Sequence, residues 1–124
     1  MVKFDIKDLN IWFGSIHALK QVSMEIQANE ILSVIGPSSS GKTTLLRMLN
    51  RLNDLNQNFK MSGVIKLEQE DIKSINTELL RKKVGMVFAL PLSLPLSIFD
   101  NVAYGVRMHG EKNKKILGKT VEES

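Results

Sequence analysis

The chain contains no cysteine, one tryptophan, one tyrosine, two histidines and three prolines among 124 residues. Without cysteine there are no disulfides and no thiolate metal sites. This fits a reducing compartment, and the cytoplasm is the expected location. Long apolar runs are missing as well. The longest uncharged stretch, Val84 to Phe99, is interrupted by Pro91 and Pro95 and falls short of the roughly 20 apolar residues that a membrane-spanning helix needs. The opening residues MVKFDIKDLNIWF alternate apolar with charged side chains and so lack the apolar core of an export signal. His17 and His109 stand apart from each other and are read as structural or surface residues, not as metal ligands.

What the chain does have is enough apolar material, 43%, to build the core of one small domain. Its net charge of +4 owes part of its excess to KNKK at Lys112 to Lys115, a run read as a solvated face. No nucleic-acid partner is expected.

The densest chemical signal is IGPSSSGKTTLLRMLN, from Ile35 to Asn50. Gly36 and Gly41 bracket Pro37, Ser38, Ser39 and Ser40, and Lys42, Thr43 and Thr44 follow, which is the GxxxxGK[ST] pattern of a phosphate-binding loop. Successive backbone N–H groups of such a loop curl into an anion-sized concavity, and the positive end of the following helix adds to the field. Gly36 and Gly41 permit backbone angles and close approach that a side chain would obstruct. Lys42 can reach terminal phosphates, and the Thr43 hydroxyl can serve Mg²⁺. Residues Gly36 to Thr44 are therefore the candidate nucleotide site, with a di- or triphosphate and Mg²⁺ as the expected ligands and Thr43 as the metal contact.

The surrounding pattern supplies the scaffold. Residues 2–13 and 17–27 read as strands joined at Gly14-Ser15, with Val22, Met24 and Ile26 alternating. The apolar run 31–35 reads as a buried strand leading into the loop, and a helix is expected from about Lys42 to Leu52. Residues 53–62 read as a polar loop, followed by a strand in GVIKLE, a short helix near Thr77 to Lys83 and a second buried strand at 84–88. Prolines 91 and 95 exclude regular structure from Leu90 to Ser97. Ser97 and Asp100 have the spacing of a capping box, so a helix is expected from Ile98, to end at Gly110. Beyond it, Ile116, Leu117 and Val121 form a weak apolar pattern, read as an element cut through at the end of the chain.

Taken together, these residues resemble the ATP-binding subunits of ATP-binding cassette (ABC) transporters, and among them the phosphate-import type. HALKQVSMEI is similar to the strand before that family's loop, IGPSSSGKTTLLRMLNRLNDL to its phosphate loop and helix, and VGMVFALPLSLPLSIFDNVAYGVR to its Q-loop region. Asn50 to Leu55 is the segment most specific to the phosphate-import type. The resemblance implies an α/β P-loop NTPase: an incomplete ABC ATPase domain, with N-terminal antiparallel strands and part of a RecA-like parallel sheet core. It divides the chain into 1–96, the N-terminal part of the ATP-binding core, and 97–124, the truncated start of a helical subdomain. It further implies that Phe13 stacks on adenine. The partners it implies are membrane-embedded permease subunits and a second ATP-binding subunit, which would place the chain on the cytoplasmic face of the membrane.

Three departures qualify the resemblance. Ser39 stands where the family usually has a third glycine, which puts a side chain into the phosphate cradle; lower affinity is expected, to be recovered by Ser39→Gly. Ala89 replaces the Q-loop glutamine, and a methyl group cannot hold Mg²⁺ or a water. No LSGGQ-like signature, Asp-Glu-ended apolar run or later switch histidine occurs in the chain. The expectation is a chain that binds ATP and does not hydrolyse it alone. A non-functional truncated remnant and a soluble, non-transport nucleotide-binding module of the same type remain as alternatives.

Overall fold

The computed structural model describes residues 1–90 and 92–124, and the part played by Pro91 in the proline-interrupted segment lies outside the described residues. The chain forms two compact units, Met1–Met86 and Val87–Ser124.

In the first unit, β1 (Val2–Phe13) and β2 (Ile16–Gln27) form a long hairpin, and β3 (Phe59–Leu67) and β4 (Glu70–Asp71) complete an antiparallel sheet of order β2-β1-β3-β4. Phe13 pairs with Ile16 across the Gly14-Ser15 turn and with Phe59 on β3, while Phe4 pairs with Leu67 at the other end. Two helices accompany the sheet, α1 (Lys42–Leu49) and α2 (Thr77–Lys83), together with a single 3₁₀ turn at Leu52–Leu55. Phe4, Ile6, Leu9, Ile11, Leu19, Ile65 and Leu67 from the strands are buried in one cluster with Leu45, Met48 and Leu49 of α1 and Leu80 of α2. Each fully buried Leu or Ile contributes about 2–3 kcal/mol of apolar transfer.

A strict two-residue alternation would send Leu9 to the opposite face from Ile6, yet both are buried. The register of β1 shifts between Ile6 and Leu9 on the β2 side and between Lys7 and Asn10 on the β3 side, with Asp8 at φ 48°. This bulge inserts one extra residue and turns the strand's apolar phase back toward the core. The Asp8 backbone N–H donates to Ser23 Oγ at 2.9 Å. Gly63, at φ +93°, lies directly against the bulge: a Cβ there would sit 2.3 Å from the Asp8 carbonyl oxygen.

The segment Asn50 to Leu55 ends α1. Arg51 adopts φ 60°, and its guanidinium meets the Asp54 carboxylate at 2.7 and 2.8 Å. Arg81 of α2 donates to the Asn50 and Arg51 carbonyls at 3.3 and 3.2 Å, neutralising carbonyls left free at the helix end. The buried Asn53 donates from Nδ2 to the Thr44 carbonyl at 2.9 Å. The helix expected to reach Leu52 therefore stops at Leu49, because Arg51 leaves helical space and the chain tightens into the 3₁₀ turn. Residues 59–62, expected as loop, are strand: Phe59 to Ser62 pair with Asn10 to Phe13, so cross-strand pairing overrides their polar composition.

The runs 31–35 and 84–88, expected as buried strands, form no ladder among the described residues. Ile31 is 100% exposed, Ile35 92% and Val87 97%. A parallel strand requires a hydrogen-bonded neighbour and covered faces, and neither run has a paired neighbour here, so the sheet that does form is antiparallel throughout.

The second unit contains α3 (Ile98–Met108) and α4 (Lys114–Glu123), with Ala103 and Leu117 buried. Ser97 Oγ accepts from the Asp100 N–H at 3.0 Å, as the capping-box spacing predicts, and Gly110 at φ 99° follows the end of α3. Arg107 pairs with Asp100 at 2.6 Å and, together with Ser97, holds that carboxyl below its usual pKa. Asn101 gathers the turn before α3: its Nδ2 faces the Leu94, Leu96 and Ser97 carbonyls at 2.9–3.2 Å, and its Oδ1 accepts from the Leu94 N–H. No helix among the described residues is long and apolar enough to cross a membrane.

Two outcomes follow. Gly63→Ala combines a disfavoured positive φ with overlap on the Asp8 backbone and should cost at least about 2 kcal/mol of unfolding free energy in urea titration. Asn101→Ala should speed hydrogen exchange at the Leu94 amide by about tenfold or more, since it removes that group's acceptor.

Candidate phosphate-binding site

Between β2 and α1 the chain runs without regular structure to Gly41, then turns into the helix at Lys42. Gly41 occupies the N-cap position at φ 92°, and no side chain caps the helix there. The first intrahelical bond runs from the Leu45 N–H to the Gly41 carbonyl at 2.9 Å. The N–H groups of Lys42, Thr43 and Thr44 thus have no helical acceptor and point toward whatever occupies the space beyond the helix end.

That space is a cavity of about 480 Å³, walled by Ser38, Ser39, Ser40, Gly41, Lys42, Thr43 and Thr44 on one side and by Ile16, His17 and Ala18 of β2 on the other. Gly41 fixes the distance between the two walls. A Cβ on it would sit 2.6 Å from Leu19 Cδ2 and 2.9 Å from the Ala18 carbonyl oxygen, so only glycine lets the loop close onto the strand.

Lys42 is the one charged residue in the lining. Its Nζ donates to the Gly36 carbonyl at 2.6 Å, the Pro37 carbonyl at 2.7 Å and Ser40 Oγ at 3.3 Å. The ammonium is exposed, and its partners are neutral. A phosphate oxygen carries net charge and makes the stronger partner, so the same side chain can transfer from loop carbonyls to an anion. Gly36 and Pro37 act on the site through these carbonyls and are not part of the cavity wall.

Ser39 stands at φ 65°, a left-handed conformation normally left to glycine. The backbone at Ser39 thus takes a turn that glycine adopts without strain.

Phe13 is half-buried and packs against Phe59, ring centroids 6.0 Å apart at 44°. It is outside the cavity lining, although its strand partner Ile16 is within it. Trp12 instead stacks on His17 at 4.6 Å and 16°. Asn10 Oδ1 accepts from the Gln21 N–H and lies 3.1 Å from His17 Nε2; an amide oxygen cannot donate, so Nε2 carries the proton. Ile16, His17 and Ala18 as a wall of the cavity were not foreseen as site residues. The signal was HALK directly after the hairpin turn, but only the bend of the chain back onto β2 makes it a wall.

The donor set suits a phosphate chain: backbone N–H groups, an ammonium, serine and threonine hydroxyls, and no carboxylate to repel it. For Mg²⁺ the same lining offers the Thr43 hydroxyl, and no group of three or more His, Asp or Glu side chains among the described residues could hold an ion on its own. The ion fits as a companion of bound phosphates, which supply most of its oxygen ligands. Ala89 belongs to the second unit, where it is exposed.

Residues 19–123 match the sequence model of the ABC transporter family. Two curated proteins from strains of Bacteroides fragilis, both described as phosphate import ATP-binding protein PstB, are 46% identical to this chain over 125 aligned positions, 99% of its length. The chain spans about half the length of these relatives, 49%. A solved bacterial Atm1-family ABC exporter with ATP bound superposes with a TM-score of 0.72 at 24% identity, covering 84% of this chain and 18% of that one, a likeness of fold. The loop, the helix it opens and the antiparallel sheet behind it are part of an ABC ATPase domain of the P-loop NTPase class, and the chain belongs to the ABC transporter family.

Proposed function

We propose that this chain is the ATP-binding portion of the nucleotide-binding subunit of an ABC transporter that imports phosphate. The observation that carries the reading is the cavity between β2 and the start of α1, where free helix N–H groups and the Lys42 ammonium converge with no opposing carboxylate. The cargo assignment rests on the 46% identity to the two phosphate import ATP-binding proteins.

In this reading the N–H groups from Ser40 to Thr44 hold the phosphate oxygens, and Lys42 leaves the Gly36 and Pro37 carbonyls to neutralise the terminal phosphates. Thr43 directs its hydroxyl to Mg²⁺, which when bound spreads the phosphate charge. Phe13 is the residue proposed to meet the adenine ring, and this requires its ring to leave Phe59. Membrane permease subunits and a second ATP-binding subunit are the proposed partners, at the cytoplasmic face of the membrane.

Calorimetric titration with MgATP should give a dissociation constant between about 1 μM and 1 mM, or about −8 to −4 kcal/mol. Lys42→Ala should weaken binding by about tenfold or more. Equal heats from both proteins would show that the loop is not the site.

Residues 1–124 alone should not hydrolyse ATP measurably. Positioning and electrostatics carry phosphoryl transfer, and no carboxylate lines the cavity to orient an attacking water. Ala89→Gln should not restore turnover. Phosphate release above the Lys42→Ala background, near a typical enzyme's rate of about 10 per second, would place a base within these residues and refute the proposal.

A further inference from the structure

Asn53 lies outside the phosphate loop and is buried, 5% exposed, yet its Nδ2 donates to the Thr44 carbonyl at 2.9 Å. Thr44 belongs to the cavity wall and is the third residue of α1. The amide's second acceptor, Met48 Sδ at 4.0 Å, is weak, so the Thr44 carbonyl is its principal partner. Asn53 and Thr44 are 9 positions apart. In a continuous helix about 13.5 Å of axis would separate them, beyond the reach of an asparagine side chain. The chain closes that gap by leaving the helix: Arg51 takes φ 60°, and the turn Leu52–Leu55 carries Asn53 back beside the first turn of α1. An L-residue rarely adopts that backbone, and here two ties hold it, the Asp54 carboxylate on the Arg51 guanidinium and Arg81 on the Arg51 carbonyl. Strain over-determined in this way clusters beside functional sites.

We infer that Asn53 is a positioning residue for the cavity: it fixes the first turn of α1, and with it the N–H groups of Lys42, Thr43 and Thr44, where a phosphate chain is received. The inference rests on the cavity being the phosphate site. The first turn has reason to need such a tie. Gly41 brings no side-chain cap, and a helix of 8 residues frays readily without tertiary support. Gly41 against Leu19 sets how far the helix start stands from the sheet. A contact at Thr44 sets its rotation about the helix axis, which the first contact leaves free. N–H groups that must converge on one oxygen weaken steeply as they turn out of line, so a small rotation is felt in affinity. Asn53 thereby acts on the ligand through Thr44 without touching it.

The test compares wild type, Asn53→Leu, Asn53→Asp, Ile72→Val and Lys42→Ala by calorimetric titration with MgATP and with inorganic pyrophosphate, at a temperature where urea titration shows each protein folded. Asn53→Leu keeps the volume and removes the donor; Asn53→Asp keeps the shape and sets an acceptor against the Thr44 carbonyl. Each should weaken both ligands by about fivefold or more. Ile72→Val trims a fully buried core side chain next to β4, the opposite edge of the sheet from β2. It should lower the urea midpoint and bind as wild type does, a contrast that a merely stabilising Asn53 would not give. The Thr44 carbonyl carbon resonance should also shift in Asn53→Leu. A folded Asn53→Leu that binds both ligands as wild type does overturns the inference, and so does an equal weakening in Ile72→Val. Should Asn53→Leu fail to fold, Asn53→Asp decides; failure of both to fold makes Asn53 a stability residue alone and overturns the inference. If Lys42→Ala weakens binding and the Asn53 variants do not, this inference falls and the proposed function stands. If Lys42→Ala binds ATP and pyrophosphate as wild type does, the cavity is not the phosphate site, and both fall.

Discussion

The site depends on a single close apposition, that of Gly41 against Leu19 and the Ala18 carbonyl. Leu19 is anchored from beneath, buried with Ile11 and the α1 residues Leu45, Met48 and Leu49 in one cluster. Because the strand cannot move away from its own core, the start of α1 has a fixed height above the sheet. Gly41 sits where a Cβ would strike Leu19 at 2.6 Å, so the loop closes to van der Waals contact and no further. The helix N–H groups, Lys42 and the three serines are positioned from that point. The far end of α1 is held as well, by Arg81 on the Asn50 and Arg51 carbonyls, while Asn53 on the Thr44 carbonyl ties the following turn back to the first turn of the helix. A helix of only eight residues would be marginal in isolation, and these tertiary ties replace the length it lacks.

The sheet explains why such a short helix has a firm floor. β1 is paired on both sides along most of its length, and its bulge at Asp8 keeps Leu9 and Ile11 directed at the helix when simple alternation would have turned them away. Gly63 makes that bulge possible from the neighbouring strand. The central strands of the antiparallel sheet are therefore paired on both sides, whereas the run 31–35 is exposed throughout and 84–88 contributes only Val84 to the edge of the core.

Legibility followed the range of the interactions involved. The helix start at Lys42, the helix Thr77–Lys83 and the cap of α3 are local features, the first marked by glycine spacing and the last by a serine three residues before an aspartate. All were readable from the sequence, and so was the family. The strand at Phe59 to Ser62 was not, because it owes its conformation to Asn10 to Phe13, more than forty positions earlier in the chain. The bulge was equally hidden, since its cause lies in a glycine on another strand. The run 31–35 misled for the opposite reason: five apolar and small residues look like a buried strand, but burial requires partners that local composition does not supply. Ile16 and Ala18 entered the site only through the chain's return onto β2, and Phe13 was readable as an aromatic at a hairpin end but not as one packed on Phe59.

Lys42 and Ser39 act in opposite senses on the wrap of the loop. The ammonium satisfies itself on two carbonyls at 2.6 and 2.7 Å, which pins residues 36 and 37 to the helix start and keeps the loop wrapped. Ser39 keeps a left-handed turn in the middle of that wrap at a cost in conformational energy. One closes the loop and the other strains it, and under the proposed function a phosphate would offer the ammonium a charged acceptor. Any ligand that binds only this folded arrangement stabilises it by RT ln(1 + [L]/Kd), about 2.7 kcal/mol at a hundredfold excess over Kd. That exceeds the strain of one left-handed residue, about 1–2 kcal/mol, so under the proposed function a bound phosphate chain would outweigh the strain in the wrapped loop.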